Sequence, residues 1–114
     1  MAIETTSPAR FGKVYTLRID SGDTDSDILD FTGTVKRIAV LLIQAPATLT
    51  GTVSVEVSLD GSTWAVLQSA GNPVTCAVST GTVITDLPAC FFRVNSSGAE
   101  GGNRDFLVVA NSQG

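Results

Sequence analysis

Between residues 52 and 59 (TVSVEVSL) apolar and polar side chains alternate at every position, Val53, Val55, Val57 and Leu59 opposing Thr52, Ser54, Glu56 and Ser58. Successive side chains of an extended chain point to opposite faces, so this alternation predicts an amphipathic strand with one buried side. Asp60-Gly61-Ser62 comes next, a tight-turn signature with a glycine able to take positive φ. Residues 63–67 are therefore expected to return antiparallel as the second arm of a hairpin. Trp64 falls on that arm, in the core or at its margin.

The same period recurs in residues 14–19 (VYTLRI), where Tyr15, Leu17 and Ile19 oppose Thr16 and Arg18. Residues 28–31 (ILDF) read as a short strand stopped by Thr32-Gly33. Residues 35–43 (VKRIAVLLI) become apolar on both faces in their second half, the pattern of a central strand covered on two sides. Gln44-Ala45-Pro46 ends that strand, because proline has no N–H to give to a ladder. Further strands are expected at 74–78, 82–87, 90–95 and 105–110, separated by Gly, Pro and Ser breaks. The Gly-rich stretch 96–103 (SSGAEGGN) reads as a flexible hairpin tip.

No segment carries a helical period. About eight strands at this spacing predict an all-β chain folded as an antiparallel two-sheet β-sandwich or a barrel. Residues 1–12 are polar and broken by Pro8 and Gly12, so they are expected to form an N-terminal arm carrying Arg10 and Phe11, with one domain over 13–114. A chain of 114 residues can bury a real core without staples.

Composition narrows the function classes. Net charge is −4 and the seven basic residues form no cluster, so the chain has no patch to collect phosphates, and nucleic acid is not an expected partner. The apolar run 38–43 is far too short to cross a bilayer as a helix, and the first residues lack the charged start and apolar stretch of a signal peptide. Synthesis and assembly in the cytosol are expected. Cys76 and Cys90 lie in apolar strand-like segments without CxxC spacing, which fits buried thiols; whether they pair is open at this level.

Histidine is absent, which removes the commonest general base and the usual zinc ligand, and no cofactor is expected. In SGDTDSD, residues 21–27, Asp23, Asp25 and Asp27 stand at alternate positions, as at the start of a calcium loop. Such a loop needs glycine at its sixth position and a bidentate glutamate at its twelfth, where this chain has Ile28 and Thr34. The stretch therefore reads as a turn capped by its own side chains, with the three aspartates and Asp30 as weak cation candidates. Glu56 and Asp60 are the nearest carboxylate pair, but one is mid-strand and the other caps a hairpin, so structural roles are expected for both. Arg93, between Phe92 and Val94, should face away from them, toward solvent, a neighbouring strand or another chain.

Taken in order, SGDTDSD, ILDFTG, the apolar strand ending at Pro46, VSVEVSLDGSTWAVL and LPACFFRVNSSGAEGGNRDFLV resemble small virion structural proteins of tailed bacteriophages over residues 13–110. The resemblance implies a jelly-roll-like β-sandwich without enzymatic residues, carried on the phage particle as a head decoration or cement protein. Its partner would be the major capsid protein, its place the outer capsid surface of a virion assembled in the host cytoplasm. A homo-oligomer is expected, a trimer if it sits on a local three-fold axis. Arg10 and Phe11 are the candidate anchors to capsid or to a second copy. A tail, fibre or neck-associated β-sandwich module, with glycan binding as one form of it, is the alternative.

Overall fold

The computed structural model describes residues 6–8, 12–32, 38–88 and 90–112. Among these residues the chain forms twelve strands: β1 (Thr6–Pro8), β2 (Val14–Ile19), β3 (Ile28–Asp30), β4 (Ile38–Gln44), β5 (Val53–Ser58), β6 (Ala65–Val66), β7 (Gln68–Ser69), β8 (Asn72–Pro73), β9 (Thr75–Cys76), β10 (Gly81–Leu87), β11 (Phe91–Ser96) and β12 (Arg104–Ser112). The all-β class expected from the alternation is what the chain adopts. Several of the twelve are two-residue pieces, which is why the sequence suggested fewer.

One sheet has the order β1-β3-β11-β5-β6, with β9 also paired to β5; the other has the order β10-β4-β12-β2. All pairings are antiparallel except that of β1 with β3. Sequence alternation decides what lies between the two sheets. Leu17 and Ile19 of β2, Leu41 and Ile43 of β4 and Phe106 and Val108 of β12 face Leu29, Val53, Val55, Phe92 and Val94 of the other sheet, all buried in one cluster. Phe31 and Phe92 meet edge to face at its centre, ring centroids 6.5 Å apart at 82°, an arrangement favoured by the aromatic quadrupole. Burial of this two-layer core is the main stabilising term.

Three expectations are corrected. β5 ends at Ser58, which is buried, and Leu59 stands 84% exposed rather than continuing the inward row. β4 is a central strand between β10 and β12, but only one of its faces is covered; Val40 and Leu42 look outward into solvent. The strand expected at 74–78 shrinks to Thr75–Cys76, because the chain turns directly after it, Thr80 N donating to Ala77 O at 3.2 Å. Trp64 lies outside the core cluster, half-buried on the outer side of the first sheet. The hairpin at Asp60-Gly61-Ser62 forms as expected, Glu56 pairing with Val66 and Val57 with Ala65. Arg10, Phe11 and the start of the expected strand at 35–37 lie outside the described residues.

Candidate functional site

Residues 21–27 carry the chain from β2 of one sheet to β3 of the other. Backbone bonds hold this crossing: Gly22 N donates to Glu100 O at 2.7 Å, Ser26 N to Val94 O at 3.0 Å, and Ser96 N to Thr24 O at 2.7 Å. Asp23 holds the crossing through its backbone, its carbonyl accepting from Glu100 N at 3.0 Å, and the side chains of Asp25 and Asp27 go to different neighbours. Asp25 accepts from Asn95 Nδ2 and lies 3.5 Å from Arg93 Nη1. Asp27 sits beside the Arg18 backbone on β2, and burial raises its carboxyl above the ordinary value. Asp30 binds its own turn, accepting from Thr32 N at 2.8 Å. Among the described residues, no three Asp, Glu or Cys side chains gather as a cation would need.

The acidic group with the strongest environment is one the sequence left in a loop. Glu100 is 1% exposed, and the expected flexible tip is instead pinned around it. Oε1 accepts from Thr50 N at 2.7 Å and Arg104 Nε at 2.9 Å; Oε2 accepts from Gly51 N at 2.9 Å and Ser96 Oγ at 2.7 Å. Burial pushes this carboxyl up, but the four donors outweigh it and hold it at about 2. Gly51 permits the approach: a Cβ there would lie 2.4 Å from Ser96 Oγ and 2.9 Å from Ser97 Oγ. The node ties the loop after Pro46, the Gly-rich loop and the aspartate crossing into one end of the sandwich. Its donors are all spent on the carboxylate, so it offers nothing to a substrate. No local pattern could have announced it, because the loop of Thr50 and Gly51 is remote in sequence.

On the outer side of the first sheet, Arg93 faces away from the core, as its place between Phe92 and Val94 requires. It pairs with Glu56 directly opposite on β5, Nε to Oε1 at 2.8 Å, and its guanidinium lies 4.2 Å from the Trp64 ring centroid. One face of the only tryptophan is thereby covered. Asp60 Oδ1 accepts from Ser62 N, Thr63 N and Ser58 Oγ, and those bonds, Thr63 first, lower its pKa. Glu56 and Asp60 thus serve strand and turn separately. Cys76 and Cys90 are free and buried, and burial raises each thiol to about 11.

Two accessible features are apolar. At one end of the sandwich a groove of about 540 Å³ is lined by Val57, Leu59, Ala65, Leu67, Leu87 and Pro88; the polar groups beside it, Ser58 and Asp60, belong to the hairpin turn. The larger feature is the outer face of β10-β4-β12-β2, where Val14, Val40, Leu42, Val83 and Leu107 are all exposed, Val14 and Val83 to 60% and 61%. Among its described residues Arg18 pairs with Asp105, Nε to Oδ1 at 2.7 Å and Nη2 to Oδ2 at 3.1 Å. The hydrogen bond from Arg18 lowers the Asp105 pKa. No protein-family model, curated protein or solved structure matches the chain.

Proposed function

We propose that the chain is a bacteriophage virion structural protein, a head decoration or cement protein that binds the outer surface of the major capsid protein and stabilises the shell. The order of motifs from SGDTDSD to RDFLV supports this reading, with the sandwich wound in a jelly-roll-like way. The observation that carries it is the exposed apolar face of β10-β4-β12-β2. A contiguous exposed apolar face of this kind marks a surface for association with another protein, a second copy included. A catalytic reading needs convergent polar groups facing a cleft, whereas Glu100, Asp60, Glu56 and Arg93 each hold a loop or strand in place. Many identical copies, each a homo-oligomer, would multiply a modest affinity per site and oppose separation of capsomers.

The glycan-binding alternative asks for an open aromatic platform, and Trp64 is covered on one ring face by Arg93. Electron microscopy of the particle with and without this protein tests the main reading. Density on the outer shell, and shells that rupture at lower temperature without it, are the expected results. Density confined to neck, tail or fibre would overturn the cement role in favour of the alternative.

A further inference from the structure

We infer that the outer face of β10-β4-β12-β2 receives a second copy of this chain, the two sheets packing face to face about a two-fold axis. The inference rests on the proposed role as an assembly subunit and names the partner at that face. Register comes first. Val83 pairs with Leu42, Leu42 with Val109 and Val109 with Val14, so these four side chains form one row across all four strands. Val40 and Leu107 flank the row on opposite sides, opposite Asn111 and Gln44. The row reads nearly the same from either end. A two-fold axis along the strands, between β4 and β12, sets Val83 over the partner's Val14 and Leu42 over the partner's Val109, as an isologous contact requires.

Charge selects the second copy over other occupants. The chain carries a net −4, yet among the described residues the outward paired strand positions of this face carry only Arg18 and Asp105 as charges, and these two pair with each other. Two acidic molecules can meet here without opposing like charges, while a strongly basic or acidic partner finds no unpaired charge to match. Area agrees. The five exposed apolar side chains present roughly 400 Å², comparable to the largest apolar patch of an ordinary monomer. A polar rim of Thr16, Gln44, Thr85 and Asn111, all exposed, extends the face beyond this row, and a standard-size pairing would take about 800 Å² from each copy. Twisted sheets that stack in this way pack about 10 Å apart with strands within about 30°. The contact generates a dimer rather than the three-fold arrangement expected from placement on a shell.

Sedimentation of the full chain between about 1 and 500 µM tests this. A reversible dimer is expected, and Leu42→Glu or Val83→Lys should weaken it by more than about tenfold while circular dichroism, and melting at concentrations below the dimer range, stay unchanged, since both positions are exposed. A second readout uses the double variant Val14→Cys/Val83→Cys. Within one copy these positions are three strand spacings apart, about 14 Å, too far for a disulfide, and the native thiols are buried. With the sheets about 10 Å apart, facing positions are also beyond direct oxidation, so a thiol-reactive cross-linker of about 8 Å span should join two copies and not the two sites of one copy. A wild-type chain monomeric throughout the range, or a Leu42→Glu chain that dimerises as tightly as wild type, overturns the inference. A dimer that fails to bind particles keeps the pairing and removes the virion reading; a monomer that binds them does the reverse.

Discussion

At Glu100, burial and hydrogen bonding pull the carboxyl in opposite directions, and the outcome sets how this molecule responds to acid. Its folded value of about 2 lies below the ordinary 4.5, so the charged form is favoured by folding. The stabilisation is fully present above the unfolded value and is lost as pH falls from about 4.5 toward about 2. Replacing Glu100 with Gln should cost about 2–4 kcal/mol at neutral pH, because an amide nitrogen would face donors and Arg104 would lose its counter-charge. Urea denaturation at several pH values checks both parts: the variant should be less stable at pH 7 and should lose less on acidification than wild type. Gly51→Ala attacks the same node sterically, since its new Cβ would overlap Ser96 Oγ; a loss of about 1–3 kcal/mol is expected. Neither residue stood out in the sequence. A glycine next to a threonine and a glutamate amid glycines look like loop filler until the fold brings residues 50, 51, 96, 100 and 104 together.

Strand β5 shows where periodicity stops being informative. Alternation from Val53 to Val57 placed the inward row, but it could not see that Ser58, the last residue of the ladder and paired with Phe91, would also organise the turn. Ser58 Oγ donates to Asp60 Oδ1 and accepts from Gly61 N at 2.9 Å, so the buried serine anchors the hairpin while Leu59 swings out. Ser58→Ala should therefore destabilise by about 1 kcal/mol, whereas Leu59→Ser should stay within about 0.5 kcal/mol, the reverse of what an unbroken strand would give. Thermal melts of the two variants side by side decide this. β4 teaches a related lesson. An apolar run says that both faces of a strand prefer cover, but not whether the cover comes from the same chain; at Val40 and Leu42 it does not.

For the whole molecule, the sandwich class follows from which positions are apolar, while the strand order does not, because alternation fixes the buried face and says nothing about the neighbour. Arg18 and Asp105 meet across an interval that covers most of the chain, as do β2 and β12 generally. Such non-local pairing makes folding slow relative to helical proteins of this size, and it leaves the short edge strands as the least tied parts. The two thiols report on that difference. Cys90 leads into β11, whose register joins β3 to β5, and its carbonyl accepts from Phe31 N at 3.0 Å. Cys76 lies on β9, held to β5 by only two residue pairs. Both are protonated at neutral pH and shielded, with values near 11, so a thiol reagent must wait for an opening. In Cys90→Ala, the remaining Cys76 should be labelled faster than Cys90 is in Cys76→Ala, because β9 can detach without disturbing the two sheets. Equal rates that follow the denaturation free energy would mean that β9 opens only when the entire sandwich does.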